Sequence, residues 1–283
     1  MRTLCLFLSL ALALGGRGQT LRGRVIDGQT KQGLPYANVG IRGKSIGGIT
    51  DQTGAFSIDI SKANTADTLV VSYVGYRSFM VPVRALPAGP SQVFYLTAVP
   101  RMLDEVVITD RQDYIIFGND GKSNRHTGWG DFTSAAGRAV GLQIPAPNMP
   151  VKINSVFFHL HENGFDSVRL RVNLLHVTPG GIVPISGQNT NVIFTTSQRK
   201  GWVKVALPEA LVFNMQDLVV AIEWLEAWGK PRTLNEGGSY LFTITLGRWP
   251  GLHYRREKPE EVPQLTSDNL TPSIYLECLA IKR

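Results

Sequence analysis

The sequence predicts an all-β protein made of two β-sandwich domains. Apolar and polar side chains alternate along short segments, as in residues 166–177, where Val168, Leu170 and Val172 alternate with polar residues. A period of two residues is typical of strands that bury one face. Turn-forming residues are frequent, with 29 glycines and 16 prolines, and no long stretch has the period of a helix.

The clearest local signal is a tight hairpin in residues 50–58. Asp51 can accept hydrogen bonds from backbone N–H groups that follow it, and Gly54 can adopt the positive φ that closes such a turn. Phe56 and Ile58 then follow at the spacing of a half-buried strand. The residue types therefore predict both the turn and the strand that leaves it.

Residues 1–18 have the order of an export signal. Arg2 precedes an apolar run over residues 4–14, and small residues come just before Gln19. The run is shorter than the roughly 20 apolar residues that a membrane-spanning helix needs. We therefore expect an exported protein without a transmembrane segment in the mature chain, located in the periplasm, at the outer membrane or on the cell surface.

Composition argues for folded domains and against nucleic acid as a partner. The 283 residues are 43% hydrophobic and 18% charged, which suits globular domains. The net charge of +7 is dispersed and forms no basic cluster with interleaved aromatic residues, so we expect no nucleic-acid binding. After removal of the signal only Cys278 remains, and its place in a strand pattern predicts a buried, unreactive thiol.

Four segments within residues 21–97 carry a resemblance to a known family. They are Gly-Arg-Val-Ile-Asp at 23–27, Leu-Pro-Tyr-Ala-Asn-Val at 34–39, Gly-Ile-Thr-Asp-Gln-Thr-Gly-Ala-Phe at 48–56 and Asp-Thr-Leu-Val-Val-Ser-Tyr-Val-Gly-Tyr at 67–76. Together they resemble the carboxypeptidase regulatory-like domain, a prealbumin-type β-sandwich. The resemblance implies a structural module without catalytic groups, in an exported protein similar to those of Bacteroidetes-type bacteria.

A further segment, Leu-Asp-Glu-Val-Val-Ile-Thr at 103–109, resembles the one that follows this module in TonB-dependent outer-membrane receptors. In those receptors a plug and a large barrel come next. The residues after Thr109 are too few for both, so we expect a chain that shares the module without being such a receptor. An accessory subunit of an outer-membrane receptor is one alternative.

The pattern divides the chain into four parts. They are a signal peptide (1–18), the regulatory-like β-sandwich (19–100), a linker (101–126) and a jelly-roll-like β-sandwich (127–283). A polar, glycine-containing stretch at 119–124 indicates the linker. The strand order of the last part, with segments 201–205 and 219–224, resembles a jelly-roll sandwich similar to C-terminal domains of exported Bacteroidetes proteins.

Three histidines are candidates for a metal site. His159 and His161 lie on one face of a predicted strand, and His176 belongs to the next strand. Three histidines with an open position can hold a catalytic zinc ion. Two-residue spacing is common on strands, however, and no His-Glu-x-x-His helix accompanies it. We therefore predict outward-facing histidines, and neither a metal nor another cofactor.

No motif for nucleophilic catalysis is present. The chain lacks a Gly-x-Ser-x-Gly segment between a strand and a helix. Glu223 and Glu226 flank Trp224 in a way that resembles a glycosidase cleft, although their separation in space decides that question. The sequence thus predicts a non-catalytic protein, with a hydrolase whose site lies in the loops of the C-terminal domain as the alternative.

Aromatic side chains provide the candidate binding site. Residues 226–238 and 247–272 are predicted loops, and the candidate ligand-binding residues in them are Trp228, Trp249, His253 and Tyr254. Flat aromatic faces suit sugar rings or partner proteins, so we expect a glycan or an outer-membrane protein as the partner. The alternative is that Trp224 and Trp249 fill the core, which is the favoured interpretation for any single tryptophan. A shallow aromatic ledge would favour a binding protein, whereas a deep cleft with convergent carboxylates would favour an enzyme.

Overall fold

The structure, a computed structural model, describes most of the chain after the predicted signal. The described ranges are 19–87, 89–99, 114–129, 136–185, 191–214, 216–229 and 242–281. The predicted signal peptide and the segment 103–109 lie outside them. Within these ranges the fold is all-β, as predicted, and the single helical element is a 3-10 turn at Val83–Ala85. No helix in this part of the chain is long and apolar enough to cross a membrane.

The N-terminal domain consists of two four-stranded sheets packed face to face. Its strands are β1 (Thr20–Asp27), β2 (Asn38–Ile41), β3 (Gly47–Ile49), β4 (Ala55–Asp59), β5 (Thr68–Ser72), β6 (Tyr76–Arg77), β7 (Phe79–Pro82) and β8 (Gln92–Ala98). One sheet has the order β4-β1-β8-β6 and the other has the order β3-β2-β5-β7. β1 and β8 are parallel, and the other neighbours are antiparallel. The predicted sandwich is therefore confirmed.

The core of this domain comes from the inward side chains of both sheets. Val25, Val39, Leu69 and Val71 have no exposed surface, and they pack in one hydrophobic cluster. In β1 the buried positions alternate with exposed ones, which is why the sequence pattern could be recognised.

The hairpin between β3 and β4 has the predicted chemistry. Asp51 Oδ1 accepts hydrogen bonds from the backbone N–H of Thr53 at 2.8 Å and of Ala55 at 3.0 Å. Gly54 has a φ of 83°, and a Cβ atom there would lie 2.6 Å from the carbonyl oxygen of Val25. Only glycine satisfies both the conformation and the space.

A buried hydroxyl fixes the segment before β2 to this hairpin. Thr50 Oγ1 accepts a hydrogen bond from the Ala37 N–H at 2.8 Å and donates one to the Leu34 carbonyl at 2.6 Å. The intervening Tyr36 has a φ of 59°, a conformation that bulky residues rarely adopt. Its position matters because Tyr36 contacts the second domain.

The C-terminal domain is a second sandwich of two sheets. Its strands are β9 (Tyr114–Gly118), β10 (His126–Trp129), β11 (Ala139–Ile144), β12 (Val151–Asn163), β13 (Ser167–Thr178), β14 (Gly181–Pro184), β15 (Asn191–Thr196), β16 (Gly201–Phe213), β17 (Leu218–Trp228), β18 (Phe242–Arg248), β19 (Leu252–Arg256), β20 (Gln264–Ser267), β21 (Leu270–Pro272) and β22 (Ile274–Ala280). The β12 sheet has the order β10-β18-β12-β22-β9, with β16 also paired to β12 and β21 to β18. The β17 sheet has the order β14-β13-β17-β11-β19-β20, with β15 paired to β13.

A large hydrophobic core fills the space between these two sheets. Phe158 and Leu160 of β12 face Leu170 and Ile222 of the other sheet, and all four have no exposed surface. Trp224 belongs to the same core and is 2% exposed, so it fills the core as the alternative interpretation held. Because side chains alternate along a strand, Phe157, His159 and His161 face outward from β12.

Two predictions about loops differ from the structure. Residues 247–272 contain β19, β20 and β21, so the prediction of a long loop there is wrong. β19 pairs with β11 and β20. It has five residues and only Tyr254 is buried, so the alternation of apolar and polar residues that indicates a strand is weak. The predicted linker, 101–126, contains β9, which pairs with β22.

The lone cysteine of the mature chain lies in β22 and has no exposed surface, as predicted. Burial raises the pKa of the Cys278 thiol to about 12. The thiol therefore stays protonated at neutral pH and behaves as a small apolar group.

The N-terminal domain packs on the outer face of the β17 sheet and on the loop after β19. Ser72 Oγ donates a hydrogen bond to the Glu260 carboxylate at 2.5 Å, and the Gly43 N–H donates one to the Glu260 carbonyl at 2.9 Å. Ser45 Oγ likewise donates to Glu261 at 2.5 Å. Among the described residues, every hydrogen bond between the domains involves this side of the second sandwich, and none involves the β12 sheet.

Replacing Gly54 tests the hairpin, with Gly75 as a matched control. Both residues have a positive φ near 80°, but a Cβ atom at Gly75 would meet nothing within 4 Å. We expect Gly75→Ala to lower the free energy of unfolding by about 1 kcal/mol, through the backbone conformation alone. Gly54→Ala should lower it by about 2 kcal/mol or more, because of the clash with Val25. Equal losses in urea unfolding would contradict the role assigned to the close approach.

Candidate functional site

The outer face of the β12 sheet carries a cluster of aromatic side chains, which we call the aromatic face. Its members are Phe157, His159 and His161 on β12, Trp202 on β16, Tyr275 on β22 and His126 on β10. They come together because the strand register places outward positions opposite one another. His159 is paired with Trp202, and Phe157 is paired with Tyr275.

Ring contacts connect the members at the centre of the aromatic face. Phe157 and Tyr275 stack with ring centroids 4.6 Å apart and planes 9° apart. Trp202 meets Tyr275 at 4.8 Å and 67°, and it meets His159 at 5.0 Å and 84°. Such stacked and edge-to-face contacts stabilise aromatic clusters beyond the area they bury, by about 0.5–1.5 kcal/mol per pair.

Histidines form the other end of the aromatic face. The rings of His126 and His161 stack with centroids 4.4 Å apart and planes 17° apart. His159 Nδ1 lies 2.8 Å from Thr245 Oγ1, within hydrogen-bond distance. Burial lowers the pKa of His159 and His161 below the ordinary 6.5, and nearby positive charges add to this. Both imidazoles are therefore mainly neutral at pH 7.

The aromatic face is accessible to solvent and has one ion pair at its border. His126 is exposed, and the five other members are half-buried. Lys204 Nζ lies 3.0 Å from the Glu277 carboxylate and 5.2 Å from the centroid of the Phe157 ring. The face is thus broad, mostly uncharged and built on regular strands, whose backbone positions are fixed by pairing on both sides of β12.

The four candidate ligand-binding residues lie in different places. Tyr254 is 2% exposed and packs with Ala139 and Val219 on the β17 sheet, so its ring offers no surface to a ligand. His253 is adjacent on β19, where it pairs with Leu142. Neither residue lies in a loop, in contrast to the prediction.

The two candidate tryptophans are far apart. Trp249 packs against the core and lies beside Gln143, which pairs with Val219 at the start of β17. Trp228 ends the same strand, where it stacks with the Arg169 guanidinium at 4.7 Å. Trp228 lies nine positions after Val219 along β17, which corresponds to about 30 Å. The four side chains therefore form no shared surface.

The candidate metal ligands are also divided between the two sheets. His159 and His161 belong to the aromatic face, whereas His176 lies on β13 and pairs with Leu218. Among the residues that the structure describes, no group of three histidine, cysteine or acidic side chains is arranged to hold a metal ion.

The two glutamates beside Trp224 bind arginines. Glu223 has no exposed surface, and it pairs with Arg171 at 3.3 Å and with Arg256 at 3.0 Å. Asn173 Nδ2 also donates to it at 2.7 Å. Burial acts to lower the pKa of Arg256, but the Glu223 carboxylate raises it, so the net shift is upward. Glu223 thus pairs with the buried Arg171 and with Arg256, whose side chain is 13% exposed, and it is not open to substrate.

Arg171 extends this buried network into the N-terminal domain. It is 2% exposed, and its Nη2 donates a hydrogen bond to the Tyr36 carbonyl. Its Nη1 lies 3.4 Å from Asn38 Oδ1. Beside it, Glu226 accepts a hydrogen bond from the Tyr36 hydroxyl at 3.1 Å. The strained backbone of Tyr36 is therefore held by side chains of the other domain.

Sequence reasoning missed Trp202, Tyr275 and Phe157 as members of one surface. A local signal existed, because Phe157, His159 and His161 occupy three successive outward positions of one strand, where polar residues are usual. The contributions of β16 and β22 depend on pairing between segments that are distant in sequence, and no local pattern reveals that register.

Removing Glu223 tests the buried network. We expect Glu223→Ala to lower the free energy of unfolding by about 3–5 kcal/mol, because the buried Arg171 and the mostly buried Arg256 lose their counter-ion. The matched control is Glu277→Ala, which breaks a partly exposed pair and should cost about 0–1 kcal/mol. Chemical unfolding that gives similar losses for both variants would contradict the role of the network.

Histidine burial predicts the pH dependence of stability. The pKa values of His159, His161, His176 and His253 are all lowered from 6.5, with burial as the main cause. The unfolded chain therefore binds more protons just below pH 6.5, and the free energy of unfolding should fall as the pH decreases from there. Thermal unfolding from pH 7.5 to 5 measures this, and His161→Gln should reduce the decline. Stability that stays constant or rises over this range would overturn the assignment.

Comparison with known proteins identifies the N-terminal domain. Residues 21–108 match the family model described as CarboxypepD_reg-like domain. The matched range contains all of β2 to β8. No curated protein matches the chain. The chain therefore contains a CarboxypepD_reg-like domain as its N-terminal sandwich, as the motifs of residues 21–97 predicted.

Proposed function

We propose that the protein is an exported, non-catalytic protein of the cell envelope that binds a glycan through the aromatic face. The observation that carries this proposal is the set of contacts among Trp202, Tyr275, Phe157 and His159 on the outer side of three paired strands. Such a surface corresponds to the shallow aromatic ledge that favours a binding protein over an enzyme.

The chemistry of the aromatic face suits sugars. Aromatic rings bury large apolar areas at a small cost in conformational entropy, and they can pack against the C–H groups of a pyranose ring. The ring nitrogens of His126 and His161 make no hydrogen bond to the described residues, so they are available to hydroxyl groups. Because the side chains stand on strands, a ligand would meet a surface that is already in place.

The domain arrangement supports the same proposal. The N-terminal domain occupies the side of the β17 sheet, so the aromatic face points away from it. In this proposal the CarboxypepD_reg-like domain is a spacer or docking unit, and the C-terminal domain meets the ligand. Export is proposed from the charge, apolar run and small residues of 1–18.

A hydrolase is less well supported by the contacts. Glu223 is buried between arginines, and Glu226 binds Tyr36 and Arg169, so neither is positioned as an acid or nucleophile. An accessory role beside an outer-membrane receptor rests on the shared domain alone, which is an argument by analogy.

Trp202→Ala tests glycan binding directly. On an array of neutral and acidic polysaccharides the protein should retain at least one, and Trp202→Ala should weaken that binding at least tenfold. The control is Tyr95→Ala, which removes an aromatic ring that is 55% exposed on the N-terminal domain. Tyr95→Ala should bind as the parent does.

Two results would contradict the proposal. One is that no polysaccharide on the array is retained by the folded parent protein. The other is that Tyr95→Ala and Trp202→Ala lose the same amount of binding. Release of reducing sugar from a retained polysaccharide would show instead that the protein is a hydrolase.

A further inference from the structure

A groove of about 670 Å³ lies between the two domains, and we call it the interdomain groove. One wall is the β3–β4 hairpin with the start of β4, and the other is the end of β17. Ile49, Phe56 and Leu225 provide apolar surface, and Asp51 and Glu226 provide carboxylates. Its volume lies within the range of sites that hold small molecules or short peptide segments.

The groove exposes the edge of a sheet. β4 is the terminal strand of the order β4-β1-β8-β6, so one side of its backbone has no neighbouring strand in that sheet. The Gly54 carbonyl accepts a hydrogen bond from the Val25 N–H of β1, and the Ile60 N–H donates one to the carbonyl of Gln19, the residue before β1. The Ala55 N–H points away from β1 and donates to the Asp51 side chain. In an antiparallel ladder these directions alternate, so the N–H and C=O of Ser57 point outward.

Such an edge can accept an additional strand. Extended peptides pair with open sheet edges through main-chain hydrogen bonds, and pockets beside the edge select their side chains. Ser57 is exposed and lines the groove, and among the described residues no hydrogen bond to its backbone comes from outside the sheet. The interdomain groove therefore combines an open edge with apolar walls.

The carboxylates in the groove favour a ligand with positive charge. Burial acts to raise the pKa of Asp51, but hydrogen bonds from Thr53 and Ala55 together outweigh this effect and the net shift is downward. The carboxylate is therefore charged at neutral pH. Glu226 Oε2 binds Tyr36 and Arg169, which leaves Oε1 without a partner among the described residues. Arg169 pairs with Glu226 through Oε2 at 3.4 Å, so the acceptors left for a cationic side chain are Oε1 of Glu226 and the charged Asp51 carboxylate.

We propose that the interdomain groove binds an extended segment of a partner protein, which pairs with β4 and directs a lysine or arginine at Asp51 and Glu226. This site is separate from the aromatic face and does not depend on glycan binding. It exists only while the two domains are docked, because each domain supplies one wall.

Selection from a random heptapeptide library displayed on phage tests the proposal with the full chain. The proposal predicts enrichment of sequences that combine β-branched residues with lysine or arginine. Ser57→Pro should reduce their binding at least tenfold, since proline removes the outward N–H without breaking the ladder to β1. Ser57→Ala is the matched control and should bind like the parent.

Glu226→Gln provides a second test that does not alter the backbone. It removes one carboxylate while keeping an oxygen for the Tyr36 hydroxyl, and it should weaken the basic peptides about tenfold. Trp202→Ala should bind them unchanged, which separates this site from the aromatic face. No enrichment, enrichment of acidic peptides, or equal binding by the parent, Ser57→Pro and Glu226→Gln would overturn the proposal.

Discussion

The buried ion-pair network of Arg171, Glu223 and Arg256 lies at the contact between the two domains and constrains how they dock. Taking these charges out of water is costly, and the cost is offset only because each partner meets another and because Asn173 adds a hydrogen bond. Arg171 also donates to the Tyr36 carbonyl of the N-terminal domain. Separation of the domains would therefore leave the buried Arg171 guanidinium without the Tyr36 carbonyl as an acceptor.

This constraint has consequences on both sides of the C-terminal sandwich. On one side it brings the β3–β4 hairpin next to Glu226, which creates the interdomain groove. On the other side it keeps the N-terminal domain away from the β12 sheet, where Trp202 and Tyr275 are half-buried. One polar contact thus separates two surfaces that we propose to serve different ligands.

Features encoded within one turn or one strand could be predicted from the sequence. Asp51 and Gly54 determine their hairpin through their own conformations and hydrogen bonds, and the alternation along β1 is local as well. The family of the N-terminal domain could be recognised for the same reason. Trp224 fills the core, which is the role that the sequence favours for any single tryptophan.

The candidate site was harder, since it depends on pairing between distant segments. The aromatic face needs the register of β12 with both β16 and β22, and a shift of one residue would turn Trp202 inward. Tyr254 was assigned to a loop because β19 is short and obtains its burial from β11 and β20. Aromatic residues near predicted loops were therefore a poor guide to the exposed surface.

Differential scanning calorimetry of the parent protein tests the dependence of the domain arrangement on the buried network most directly. Because Arg171 loses the Tyr36 carbonyl when the N-terminal domain unfolds, and Glu223 loses Arg171 and Arg256 when the C-terminal domain unfolds, the account predicts one cooperative transition with equal calorimetric and van't Hoff enthalpies. Two separate transitions, with the N-terminal sandwich unfolding alone while the C-terminal sandwich stays intact, would contradict it.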